Sequence, residues 1–360
     1  MIAWLKQKLD AIGSPSLDWI QVETTTHCNS DCIYCPHTIQ HSLWEKRHMS
    51  IELFDRIVPY LKYTDLIYLQ GWGEPLLNPH IFELIETGKK LGKRVGFTTN
   101  GMLLTEKSIG KLLDLGLDII SISLAGATAL THNRIRRGTD FEKIITNLKR
   151  LSRIKSEKKS TKPAVHLSYL MLKSNVHELK KIISLARKIA ADQVVASHPA
   201  LLLDSRISEQ ALFNHPDRAA AWRILLEEIK TRAASENIVF AYRDPEPDLD
   251  FKSCTENVAQ ACVLSVGGEI CPCVYTNPSL IGKTPSNQTP ALYHLFQGQA
   301  VPLKPVSFGH IKTRSLTKIW NLKEYVDFRA CFNPERMEAG PEVRPDLPAC
   351  CVTCYKRLGL

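Results

Sequence analysis

The chain has 360 residues, of which 44% are hydrophobic and 23% charged, the proportions of an ordinary folded protein, so disorder is excluded as its default state. No apolar run is long enough to span a bilayer, and the lysine-broken start at residues 1–9 is no signal-peptide core; no membrane partner is expected, and the expected compartment is the cytoplasm. Much of the formal charge of +9 lies in the block 149–162, which reads as the solvated end of a helix rather than a nucleic-acid surface, and eleven cysteines without an export signal point to metal or redox use instead of disulfides.

Residues 4–12 read as a short amphipathic helix closed by Gly13-Ser14-Pro15. The alternating run 19–23 suits a strand, and the loop after it carries Cys28, Cys32 and Cys35 at the spacing Cys-x3-Cys-x2-Cys. Three thiols this close read as one metal centre at the carboxyl end of a strand, where barrel-type α/β enzymes place their chemistry. A 4Fe-4S cube needs four iron ligands, so three cysteines leave one iron open; a zinc site completed by His27 or His37 is the alternative. Ser50 then caps a helix over 51–58, and a strand at 66–69 ends in Gly71-Trp72-Gly73-Glu74-Pro75, a glycine-rich turn with one carboxylate.

The alternation continues through a helix at 81–91, a strand at 94–99 ending in Asn100-Gly101, a helix at 108–115 and a strand at 119–124, on which Ser121 and Ser123 share a face. Arg134, Arg136 and Arg137 follow, any of which could hold a carboxylate. A helix at 141–151, a strand at 164–172, a helix at 176–190 and a strand at 193–196 complete six strand-helix units, which means a parallel sheet. Residues 208–234 are helical in pattern, and Asp244-Pro245-Glu246-Pro247-Asp248 breaks every periodicity.

Cys28, Cys32 and Cys35, with Tyr34 before the last of them, resemble the signature of the radical S-adenosylmethionine (radical SAM) superfamily, and Gly71-Trp72-Gly73-Glu74-Pro75 resembles its Gly-Gly-Glu-Pro motif with Trp72 in place of a glycine. The resemblance implies a partial (β/α)6 TIM-type barrel with S-adenosylmethionine on the open iron of a 4Fe-4S cluster. It implies Cys28, Cys32 and Cys35 as the catalytic iron ligands, and Tyr34, Gly71, Gly73, Glu74, Asn100, Ser121, Ser123 and Arg134 as cofactor contacts, Glu74 taking the amino group. In the family one electron from the cluster cleaves the sulfonium to a 5'-deoxyadenosyl radical; reduced ferredoxin or flavodoxin is the implied donor.

The last third holds Cys254, Cys262, Cys271, Cys273, Cys331, Cys350, Cys351 and Cys354, too many for a packed core without a metal. Gly267-Gly268 reads as a hairpin turn that brings Cys262 and Cys273 to one side. Cys254-x13-Gly268-x4-Cys273, then Cys351-x2-Cys354, resembles the SPASM or shorter Twitch extension of radical SAM enzymes. It implies an auxiliary 4Fe-4S cluster on Cys254, Cys262, Cys273, Cys351 and Cys354. Cys254 competes there with Cys262 and Cys350 with Cys351, and a structural zinc ribbon remains the alternative.

The expected organisation is an N-terminal helix at 1–15, a barrel with following helices at 16–243 and a small cysteine-rich iron-sulfur domain at 244–360. The expected activity is that of a radical SAM oxidoreductase or maturase abstracting a hydrogen atom from a peptide, a protein or a cofactor precursor. The pattern around 70–79 and 123–139 is also similar to maturases of tungsten- or molybdenum-dependent oxidoreductases. A small-molecule dehydrogenase of the same family and a non-enzymatic iron-sulfur carrier are the competing readings.

Overall fold

Apolar runs flanked by amphipathic helices bury both faces of a parallel sheet, and that sheet is the frame of the computed structural model, which describes residues 15–249, 253–280, 292–332 and 346–360. The helix expected at 4–12 lies outside these residues. The barrel strands are β1 (Leu17–Val22), β2 (Thr64–Tyr68), β3 (Arg94–Thr99), β4 (Ile119–Leu124), β5 (Ala164–Leu170), β6 (Gln193–Ser197) and β7 (Val239–Tyr242). They lie side by side in chain order and pair in parallel throughout.

The expected six units are present, and a seventh strand, β7, follows the helix Pro216–Ser235. The sequence reading missed β7 because it is four residues long and only Phe240 of the four is buried. The cysteine-rich segment adds β8 (Ala261–Leu264), parallel to β1 on its other edge, then β9 (Glu269–Cys271) and β10 (Gly309–His310), each antiparallel to its predecessor. One ten-stranded sheet therefore runs from β10 through β1 to β7. The turn at Gly268, whose φ of +103° disfavours a side chain, joins β8 to β9 as the expected hairpin.

Helix starts follow local chemistry. Ser50, Thr105, Thr128 and Asp140 each accept a hydrogen bond from the backbone N–H three residues on, satisfying a donor that the first turn cannot pair. The helix Phe141–Glu157 runs six residues past its expected end because Ile154 keeps its face in the core. Among the described residues no helix is long and apolar enough to cross a membrane.

Below the barrel, Asp118 fastens β3 to β4: its carboxylate accepts from Val95 N at 2.8 Å and pairs with Lys89 and Lys162. Burial would raise its pKa, but the two ammonium groups and the amide outweigh that and hold it below the usual 3.8. Asp118→Asn is expected to cost about 1–3 kcal/mol near neutral pH, read by denaturant unfolding. Because the folded-state pKa is depressed, this stabilisation is complete above the ordinary carboxylate pKa and disappears as pH falls through the folded value, so wild type and variant converge in acid.

Candidate functional site

The loop after β1 is held before its thiols begin. Thr26 Oγ1 donates to Glu45 O at 2.7 Å and accepts from Arg47 N at 2.8 Å, and Trp44 Nε1 donates to Thr26 O at 3.1 Å. Asp31–Cys32 then pairs antiparallel with Arg136–Arg137, and Ile33 N donates to Ile135 O at 3.0 Å. These ties bring Cys28, Cys32 and Cys35 to one side of a cleft at the carboxyl end of the sheet, with about 1130 Å³ of empty space counted to its open mouth.

Gly71, Gly73 and Glu74 line the same cleft, and close approach explains both glycines. A Cβ on Gly73 would lie 2.4 Å from Thr25 O and 2.6 Å from His27 O; one on Gly71 would lie 2.2 Å from Glu23 Cγ. The backbone of this turn thus packs directly on the cysteine loop, and Glu74 N donates to His27 O at 2.8 Å. The Glu74 carboxylate, expected to face a ligand ammonium, already accepts three hydrogen bonds: from Thr99 Oγ1 at 2.7 Å, Asn100 N at 2.7 Å and Leu76 N at 3.2 Å. Burial pushes its pKa up and those donors pull it back. It joins the end of β2 to the end of β3. Asn100 also lines the cleft and donates through Nδ2 to Asn29 Oδ1 at 2.7 Å.

On β4 the two serines separate in depth. Ser123 lines the cleft, whereas Ser121 is buried beneath it, beside the layer in which Tyr68 Oη meets Thr98 Oγ1 at 2.9 Å. The arginine assignment changes. Arg134 is exposed on the helix Ala129–Ile135, and the cleft contains Arg136 instead. The helix stops at Ile135, and the strand pairing with Asp31–Cys32 turns Arg136 inward and Arg137 outward. Arg136 donates to Tyr34 Oη; burial works against its charge, but its acidic neighbours in the cleft outweigh that and hold its pKa above the ordinary guanidinium value.

A second, narrow cavity, about 530 Å³ of empty space when counted out to open solvent, is lined by Cys254, Cys273, Cys351 and Cys354 together with Cys350. Cys262 is not among them. It sits on β8 with its thiol in the core, near Arg329 and Tyr325, because the register Ile20↔Cys262 fixes its side of the sheet. The hairpin therefore does not bring Cys262 to Cys273. Cys350 and Cys351 both stay at the cavity, their sulfurs 3.7 Å apart.

The donor sets fit iron-sulfur centres. Burial pushes Cys35 up to about 12, with Cys32 and Cys28 adding to it, and Cys254 up to about 12, with Cys354 and Glu256 adding to it despite local amide and lysine contributions. Thiols so buried become thiolates readily only beside a strongly positive centre. Among the described residues no three His, Cys, Asp or Glu side chains converge closely enough to hold a single metal ion.

Several cleft residues were not singled out from the sequence. Ser168 and Ser197 come from β5 and β6, and His198 follows β6. His198 Nε2 donates to Asp244 O at 2.9 Å, and burial lowers its pKa to about 4. Tyr275 and Lys356 arrive from the cysteine-rich segment and line both cavities. Strand-end position alone would have flagged Ser197 and His198; Tyr275 and Lys356 are brought in by tertiary return of the chain.

The model of the radical SAM superfamily matches residues 22–186, and that of an iron-sulfur cluster-binding domain, SPASM, matches 254–355. The chain is 24% identical over 327 residues to the tungsten-containing aldehyde ferredoxin oxidoreductase cofactor-modifying protein of Pyrococcus furiosus, covering 87% of this chain and 83% of that one. Its fold matches that of Streptococcus suis SuiB bound to S-adenosylmethionine, with a TM-score of 0.63 at 14% identity over 98% of this chain and 74% of that one. It also matches anSMEcpe with bound AdoMet and Cp18Cys peptide, with a TM-score of 0.60 at 16% identity over 95% and 87% of the two chains.

Gly73→Ala is expected to displace the cysteine loop, because both close atoms are backbone oxygens; iron retained after anaerobic reconstitution should fall by about half or more and the Tm should drop. Glu74→Gln should cost about 2 kcal/mol in urea unfolding, since an amide cannot accept from Thr99, Asn100 and Leu76 together.

Proposed function

This chain belongs to the radical SAM superfamily and carries a SPASM extension, and on that premise we propose that it oxidises or cross-links a peptide or protein, or matures a metal cofactor, by hydrogen abstraction in the cleft after β1. The observation that carries the proposal is the single cleft in which Cys28, Cys32 and Cys35 face Glu74 and Asn100 while Tyr275 and Lys356 form a wall shared with a second cysteine cavity. When bound, a 4Fe-4S cluster and S-adenosylmethionine would supply reductive cleavage of the sulfonium and the radical that follows from it, chemistry that belongs to the cofactors.

The protein's part is to hold and shield. Cys28, Cys32 and Cys35 would hold three irons, and the missing side chains of Gly71 and Gly73 let their turn pack against the cysteine loop and Glu23, so that its backbone lines the cleft where the cofactor's amino group would lie. Glu74 and Asn100 keep the ends of β2 and β3 together beneath it. Arg136, fixed by Tyr34, offers the cationic side of the cleft, a position suited to a carboxylate. Cys254, Cys273, Cys351 and Cys354 would hold the auxiliary cluster, with Cys350 as the competing thiol. Reduced ferredoxin or flavodoxin is the proposed electron donor. The name of the Pyrococcus relative supports a cofactor precursor as substrate, and the peptide bound by anSMEcpe supports a peptide.

Anaerobic reconstitution followed by dithionite and S-adenosylmethionine tests the reading. About eight irons per chain and formation of 5'-deoxyadenosine are expected, with nucleoside lost when Cys28, Cys32 and Cys35 are replaced by alanine. Cys354→Ala should lose about half the iron and keep nucleoside formation above background. Iron at full loading without nucleoside would leave an electron carrier in place of an enzyme.

A further inference from the structure

Four residues line both the cleft and the second cysteine cavity: Ala200 and Leu201, and two that carry polar side chains, Tyr275 and Lys356. Each of the polar two is delivered by a tight turn directly after a cysteine of that cavity, Tyr275 in Val274–Thr276 after Cys273 and Lys356 in Tyr355–Leu358 after Cys354. Lys356 is only 8% exposed. Its Nζ lies 5.8 Å from the Tyr275 ring centroid and 3.5 Å from Glu256 Oε1. Trp72 meets the same tyrosine edge to face, at 5.8 Å between ring centroids.

Among the described residues no hydrogen bond engages Lys356 Nζ or Tyr275 Oη, and neither atom is sealed from solvent. An ammonium has three donors and a phenol one, so the pair offers several hydrogen bonds to whatever occupies this end of the cleft. The charges of the cleft make the occupant's sign plain. Its one carboxylate, Glu74, is committed to three protein donors, and Arg136 is engaged by Tyr34. A cation taken this far out of water is costly unless an anion meets it. Glu256 answers Lys356 from one side only and does not line the cleft.

We propose that Tyr275 Oη and Lys356 Nζ form an anion seat that holds a carboxylate of the substrate at the wall between the two cysteine sites. The inference rests on the reading of this cleft as the reaction site. A singly charged group suits the seat, because Glu256 at 3.5 Å from Nζ already cancels part of the lysine charge and would oppose a phosphate dianion. A substrate anchored there presents the remainder of its length toward the loop of Cys28, Cys32 and Cys35, across the cleft both sets line. Lys356 and Tyr275 are thereby substrate-positioning residues that select for an acidic end group.

The test is calorimetric titration of the reconstituted full-length protein with benzoate, with the isosteric neutral benzamide and with inorganic phosphate, each in saturating S-adenosylmethionine. Benzoate should bind wild type, weaken about tenfold or more in Lys356→Met, about threefold in Tyr275→Phe, and less than about threefold in Lys356→Arg. Benzamide should not bind. Lys356→Gln and Tyr275→Phe carry the comparison if Lys356→Met does not fold, and iron is counted in every variant.

No benzoate binding by wild type, equal binding by benzamide, or unchanged benzoate affinity in the lysine and tyrosine variants overturns the proposal. Tighter binding of phosphate overturns the choice of carboxylate. Benzoate binding seen only in a parallel titration without S-adenosylmethionine would assign the seat to the cofactor and overturn the substrate role. Nucleoside formation, measured on the same wild-type preparation, reports separately on the radical reading, so the two can fail independently.

Discussion

The Glu23 carboxylate, 2% exposed at the end of β1, holds the two halves of this molecule in register. Oε1 accepts from Trp72 N at 3.2 Å, and Oε2 accepts from Val266 N at 3.0 Å and from Ser279 Oγ at 3.4 Å. One side chain therefore meets the glycine turn of the barrel and the hairpin of the cysteine-rich segment, more than 240 residues away in sequence. A buried carboxylate with fewer donors would be strongly destabilising, so the three segments must arrive together. Gly71 makes room for it, since any Cβ there would occupy the space of the Glu23 side chain.

Glu74 repeats the device one strand along, and the two carboxylates lace the ends of β1, β2 and β3 chiefly through backbone amides, with the hydroxyls of Ser279 and Thr99 adding to them. The rim of the cleft thereby gains stiffness from groups fixed by the fold itself. Beyond it the second cysteine cavity is no appended module. Its first turns grow out of strands that extend the barrel sheet, and its lining includes Ala200 and Leu201 from the end of β6. Two cysteine sites on a common sheet keep a fixed separation, which matters to any electron or substrate that must pass from one to the other.

Most of the barrel was legible from residues 16 to 200 because its strands are apolar runs and its helices have one apolar face, and both periodicities survive in tertiary structure. The three thiols of the cleft and the glycine turn were legible because their spacing is local. What escaped notice depends on contacts between distant segments. Arg134 and Arg136 cannot be told apart until the pairing of Asp31–Cys32 with Arg136–Arg137 is known. Cys262 looked equal to Cys254 until the pairing of β8 with β1 turned it into the core. Ser121 and Ser123 share a face, as alternation requires, but depth along a strand is set by where the barrel opens.

The position of β1 has a consequence for how this protein is made. Although it is the first strand described, one of its edges stays open until residues 261–264 have been added, since β8 is its partner there. Through most of ribosomal synthesis the growing chain thus displays an unpaired strand edge next to the three thiols of its loop, a state prone to aggregation and to oxidation. The same interval is the time when the loop is most open to an iron-sulfur delivery system. The late arrival of the C-terminal third closes the sheet and ends that opportunity, so the order of residues along the chain sets the order in which the two cysteine sites become enclosed.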